Sequence, residues 1–115
     1  MIRHGQYEDG AKDADRCLSA KGREQARLCG EYLKTHVFAE HAPTQFVHSS
    51  MLRATETARI INDVLAVECP VQSCDLIREG APIAPEPPLS GWPEKPWNEF
   101  KDGPRIEAGF RRHIR

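Results

Sequence analysis

Short apolar runs alternate with longer amphipathic stretches from Met1 to Ile77, and this alternation narrows the fold more than any other feature. Met1-Ile2 reads as the end of a buried strand. Leu18-Ser19 then marks a helix start, with Ser19 as N-cap and Leu18 as the preceding apolar anchor. From Ala20 to about His36, the apolar residues Ala26, Cys29, Leu33 and Val37 recur at helical spacing, with Tyr32 alongside. Lys21, Arg23, Glu24, Arg27, Glu31 and Lys34 mostly take the opposite face, while Gly22 and Gly30 weaken the helix slightly. Ala42-Pro43 breaks the pattern, and Thr44 to His48 reads as a short strand. Met51 to Leu65 turns helical again, with Leu52, Ile60, Ile61, Val64 and Leu65 supplying much of its apolar surface. Val71 to Leu76 is the third strand. Strand, helix, strand, helix, strand predicts parallel strands joined by right-handed crossovers, an α/β sheet.

Beyond Gly80 the composition changes. Seven of the nine prolines fall between Pro82 and Pro104, together with both tryptophans. Prolines at that density argue against helix or central strand. Leu89, Trp92 and Trp97 predict instead an ordered loop over residues 81–103, draped on the domain. Asp102-Gly103-Pro104 predicts the start of a last helix, striped on one face by Ile106, Phe110 and Ile114.

At 115 residues the chain is at most one small domain. A net charge of −1 and a pI near 6.5 draw it toward neither nucleic acid nor an anionic membrane. No apolar run approaches the roughly 20 residues of a membrane span, and no signal-peptide pattern precedes Arg3. Cys17, Cys29, Cys69 and Cys74 form no C-x-x-C pair, so a zinc knuckle or redox motif is not expected. Cys29 and Cys74 read as buried, reduced thiols, which suits a reducing compartment. His4, His36, His41, His48 and His113 show no metal-binding spacing.

Ligands of such sheets bind beyond the carboxyl ends of the strands. Three clusters fall there: Arg3-His4-Gly5, Ser49-Ser50 with Arg53, and Arg78-Glu79. Arg3 offers a planar fork suited to phosphate oxygens, His4 a nucleophile toward phosphorus, and Gly5 close backbone approach. Arg53 lies in the first turn of its helix, where the backbone already favours an anion; a salt bridge to Glu56 or Asp63 is its structural alternative. Glu79 reads as a general acid or as a charge balancing nearby cations. Arg78 and Arg59 read as solvated or structural charge.

Arg3-His4-Gly5, Leu18-Ser19-x-x-Gly22-Arg23-Glu24-Gln25-Ala26 and His48-Ser49-Ser50-Met51-Leu52-Arg53-Ala54-x-x-Thr57-Ala58 resemble the histidine phosphatase (phosphoglycerate mutase-like) superfamily. Arg3-His4-Gly5-Gln6-Tyr7, Leu76-Ile77-Arg78-Glu79-Gly80-Ala81-Pro82-Ile83 and Asp102-Gly103-x-Arg105-Ile106-Glu107 resemble its mitochondrial serine/threonine-protein phosphatase branch. The resemblance implies a three-layer α/β/α domain with a mainly parallel sheet. It also implies a phosphatase acting on phosphoserine and phosphothreonine in proteins, with neither cofactor nor metal. His4 would take the phosphoryl group, Arg3 and Arg53 would clamp it, and Glu79 would protonate the leaving oxygen. A phosphoprotein partner, a mitochondrial location and an open question of homo-oligomerisation come with it, while the charge and hydropathy of this chain point to neither a nucleic-acid partner nor a membrane segment within it. The family pocket has a second histidine after a later strand, a role that His113 does not fill. Relatives also carry more of the first strand, an N-terminal membrane helix and an oligomerisation segment. The chain therefore reads as a partial domain over 1–115, incomplete on its C-terminal side. The competing readings are a non-catalytic phosphate-binding or interaction fragment, and a small-molecule phosphatase or phosphoglycerate mutase.

Overall fold

The computed structural model describes residues 1–80, 86–88, 90 and 96–114, the first five of the last stretch by backbone alone. Two compact units divide the chain, Met1–Ser73 and Cys74–Arg115.

In the first unit, α1 (Ala20–Tyr32) starts where Ser19 predicts: the extended Ser19 accepts the Gly22 N–H on its hydroxyl at 3.0 Å. The helix then widens into a π-turn over Leu33–Val37. Its buried face is not the expected one. Gly22, Ala26 and Gly30, spaced four apart, turn inward, while Leu28, Tyr32 and Val37 face solvent. Small residues let neighbouring backbone come close. A Cβ on Gly30 would sit 2.9 Å from the Val64 Cβ, and one on Gly22 would strike the Gln6 carbonyl. The glycines that weaken the helix are thus what seats it.

The second helix, α2 (Leu52–Leu65), buries Arg53, Thr57, Ala58, Ile61 and Leu65 along one stripe and ends on Ala66 in a left-handed conformation. Leu52, expected on that stripe, is 37% exposed, and Arg53 takes the inward position instead. Leu18, Ile61 and Leu65 anchor the core. Burying each such side chain contributes about 1.5–3 kcal/mol.

Strand β1 (Phe46–Ser49) pairs in parallel with β2 (Val71–Cys74), and the Phe46 N–H reaches the Pro70 carbonyl at 2.8 Å. The third strand ends earlier than expected, because Asp75–Ile77 curls into a 3₁₀ turn. Met1-Ile2 is not a strand, and both side chains are exposed. Pairing nearby is taken instead by an antiparallel bridge from Tyr7 to Leu18, flanked by Glu8 N–H to Cys17 O and Ser19 N–H to Gln6 O. That closure turns the segment after Gly5 back on the start of α1.

In the second unit, α3 (Pro96–His113) begins seven residues before Gly103, so the expected loop is shorter than 81–103 and Pro104 lies inside a helix. Pro96 loses no hydrogen bond in the first turn. The interior Pro104 costs about 3 kcal/mol. Arg105 beside it offsets that cost by donating to the Leu76 carbonyl at 3.0 Å and the Arg78 carbonyl at 2.7 Å. Gly109 is buried, and a Cβ there would lie 2.8 Å from Ile77 Cγ2. The expected stripe is therefore rotated, with Phe110 and Ile114 exposed. The draped-loop expectation rests on Leu89, Trp92 and the Trp97 side chain, which lie outside the described residues. All four cysteines are free and half-buried, and the Cys74 Sγ meets His113 Nε2 at 3.3 Å.

Candidate active site

The loop that turns back after Gly5 holds His4 against α2. The His4 Nδ1 lies 2.8 Å from the Gly5 carbonyl oxygen. A carbonyl only accepts, so Nδ1 carries the proton. Nε2 consequently carries the lone pair, and it accepts the Arg53 Nε–H at 3.3 Å. One tautomer satisfies both contacts. The side chain is left with its unprotonated nitrogen on the arginine side, where the Arg53 N–H occupies the lone pair.

Arg53 is only 2% exposed. Its Nη1 donates to the Asp13 carbonyl at 2.9 Å and to Asp13 Oδ1 at 3.3 Å; its Nη2 lies 3.4 Å from Oδ2. The Tyr7 ring lies 4.7 Å from the guanidinium carbon and meets the His4 ring edge-on at 5.3 Å. The cation is thus buried among a carboxylate, an aromatic face and an imidazole, each offsetting part of its desolvation. Glu56, one of the two structural alternatives, is engaged elsewhere: it accepts the Leu18 N–H at 2.6 Å and pairs with Arg23 at 3.3 Å.

Thr57, one turn beyond Arg53, links the two candidate side chains through backbone. Its hydroxyl accepts the Gly5 N–H at 3.2 Å and donates to the Arg53 carbonyl at 2.8 Å. Gly5 has no room for a side chain, since a Cβ would lie 2.9 Å from the Gly22 carbonyl carbon. Gly5, whose carbonyl sets the His4 tautomer, is therefore held from α2 through its N–H and from α1 through the Gln6 N–H on Gln25 and the close approach of Gly22.

Arg3 is exposed and shares with His4, Gly5, Gln25, Cys29 and Thr57 an open depression of about 310 Å3. Ser49 caps locally, its hydroxyl accepting the Met51 N–H at 3.3 Å, and Ser50 is exposed. Glu79 belongs to the second unit, where it is exposed and its carbonyl lies 3.5 Å from Arg105 Nη2. His113 is engaged with Cys74. Among the described residues no three His, Cys, Asp or Glu side chains converge as metal ligands, and no helix is long and apolar enough to cross a membrane.

Of the residues singled out in the sequence, His4 and Arg53 are in direct contact and Arg3 lines the same depression as His4. Tyr7, Asp13 and Thr57 join them without having been singled out for a role. Thr57 had a signal, since it follows Arg53 by four residues on one helix face. Asp13 lies in a polar loop without periodicity and had none.

Residues 1–82 match the histidine phosphatase superfamily (branch 1). Over 115 residues the chain is 48% identical to the serine/threonine-protein phosphatase PGAM5, mitochondrial, of Rattus norvegicus, and equally to that of Homo sapiens. Each match covers 99% of this chain and 38% of the relative, so the chain spans well under half the length of these proteins. Among solved structures, the protein histidine phosphatase SixA complexed with tungstate matches 66% of this chain and 47% of its own, at 26% identity and a TM-score of 0.59. A mycobacterial glucosyl-3-phosphoglycerate phosphatase matches 94% of this chain and 47% of its own, at 24% identity and a TM-score of 0.53, a likeness of fold alone. These neighbours have the phosphoglycerate mutase-like fold, of which the chain is a partial α/β domain.

Proposed function

We propose that this chain, which belongs to the histidine phosphatase superfamily, carries the phosphoryl-accepting centre of a metal-independent phosphatase acting on phosphoserine and phosphothreonine in proteins. The observation that carries the reading is the His4 tautomer, protonated on Nδ1 by the Gly5 carbonyl contact and presenting Nε2 beside the Arg53 guanidinium. A neutral imidazole in that state attacks phosphorus without first losing a proton.

In this reading the Arg53 N–H turns from Nε2 to the phosphoryl oxygens, and the freed Nε2 lone pair forms the N–P bond as the P–O bond to the serine or threonine oxygen breaks. Glu79 gives its proton to that oxygen. Arg3 and Arg53 stabilise the charge on the equatorial oxygens. Water then attacks phosphorus, its proton passes to the Glu79 carboxylate, and the N–P electron pair returns to Nε2. The names of the PGAM5 relatives support the protein substrate and the mitochondrial location. Residues 1–115 are taken as one part of a single phosphatase domain. Self-association belongs to the same reading and is checked by light scattering.

The test is rapid quenching of the full chain with labelled phosphopeptide. An acid-labile, alkali-stable phosphoenzyme is expected in the wild type and absent in His4→Ala. A phosphoenzyme that persists in His4→Ala sinks the assignment. Faster turnover of phosphoglycerates than of phosphopeptides would move the substrate class to small molecules.

A further inference from the structure

We infer that Arg105 is the positioning residue for Glu79, setting the backbone on which the proposed acid is carried. This inference rests on the reading of Glu79 as the group that protonates the leaving oxygen.

The segment that bears Glu79 has little structure of its own. After the 3₁₀ turn at Asp75–Ile77, the Arg78 N–H makes a long contact of 3.3 Å to the Asp75 carbonyl, and Arg78 to Gly80 run on outside helix and ladder. Backbone of that kind carries about 1–2 kcal/mol of conformational entropy per residue unless something else fixes it. Arg105 does so from α3. Its Nη1 faces the carbonyls of Asp75 at 3.4 Å, Leu76 at 3.0 Å and Arg78 at 2.7 Å. Its Nη2 faces the Glu79 carbonyl at 3.5 Å and donates to Asp102 Oδ1 at 2.8 Å. The Arg105 and Asp102 side chains are 17% and 21% exposed, so the pair is largely shielded from water. A Cβ on Gly80 would lie 2.6 Å from Arg105 Nη2 and from Asp102 Oδ2, so the chain passes flush over the ion pair.

A planar fork meets several carbonyls at once in a way that a lysine ammonium does not. Proton delivery is sensitive to placement: a displacement of about 1 Å costs on the order of 100-fold in rate. The contacts of Arg105 to this segment run to main-chain oxygens, so its contribution is geometry. It is not a group that exchanges the proton.

The experiment compares Arg105→Ala, Arg105→Lys and Glu79→Gln in the full chain, on a phosphoserine peptide and on an aryl phosphate. An aryl leaving group needs little protonation, and therefore reports on phosphoryl transfer without the acid. For Arg105→Ala we expect kcat on the phosphopeptide to fall about tenfold or more, with a loss under about threefold on the aryl ester and little change in KM. Arg105→Lys should show the same bias, and it carries the test if the alanine variant does not fold in a thermal melt. Equal losses on both substrates in a folded Arg105 variant, or no loss on either, overturn the inference while a discriminating Glu79→Gln leaves the acid assignment standing. If Glu79→Gln itself loses both activities equally, the acid assignment fails first and the positioning role goes with it.

Discussion

Each unit of this molecule holds a shielded arginine, and the two are used differently. Arg53 divides its donors among the Asp13 carbonyl, the Asp13 carboxylate, whose side chain is 56% exposed, and a histidine nitrogen. Arg105 aims most of its donors at main-chain carbonyls. A carboxylate on a loop can be exchanged for another anion, whereas a main-chain carbonyl in a folded segment cannot leave. Under the proposed function the carboxylate half of the first arrangement is a stand-in for the phosphoryl group, while the second arrangement is a structural clamp. The same side chain therefore reads as function or as scaffold according to whether its partners can be replaced.

The largest effect expected from this contrast is on Arg53. Arg53→Ala should lower turnover by about 100- to 1,000-fold, as loss of one stabilising donor does elsewhere, and should abolish vanadate binding followed by titration calorimetry. Unchanged vanadate affinity would put Arg53 with Arg105 among the clamps. Next comes Thr57→Val, which leaves the buried Gly5 N–H without its acceptor. Chemical denaturation should show a loss of about 1–3 kcal/mol, and kcat should fall because Gly5, whose carbonyl meets the His4 Nδ1, loses its tie to α2. Asp13→Asn should have a smaller effect of opposite sign, with phosphate bound several-fold more tightly because a neutral amide competes less well for the guanidinium. Weaker phosphate binding would mean that Asp13 helps to hold Arg53 in place.

The smallest effect belongs to Arg27, which serves as the exposed control. It pairs with Glu24 and Glu31 on the surface of α1, and its hydrogen bond holds the Glu24 carboxyl below the usual carboxylate range. A depressed carboxyl contributes stability above its unfolded pKa and loses it as pH falls through the folded one. Glu24→Gln should therefore flatten the acid limb of the stability profile slightly, and high salt should remove the difference. A large, salt-resistant change would contradict the view that only shielded arginines matter here.

Much of this was legible in the sequence where the cause is local. The Ser19 cap, the span of α2 and the Arg53 position at its start follow from neighbours within a turn. The faces of the helices were harder to read. Gly22, Ala26 and Gly30 carry no hydropathy signal, yet close approach made them the packed stripe and left Tyr32 and Val37 outside. Pro104 argued for a helix start, and Arg105, whose main-chain acceptors lie 26 to 30 positions away, holds the interior turn in place. Asp13 reaches Arg53 across 40 positions from a loop whose composition says only that it is polar. Contacts of that range leave no periodic trace.

The mutual exclusion of side chains at Gly5 and Gly22 has a mechanical meaning. The first turn of α1 and the strip of chain from His4 to Gln6 lie flush, and they are further tied by the Ser19 N–H on the Gln6 carbonyl and by the Gln6 N–H on the Gln25 side chain. Neither part slides without the other. The tilt of a helix and the aim of an imidazole are, in this molecule, a single degree of freedom.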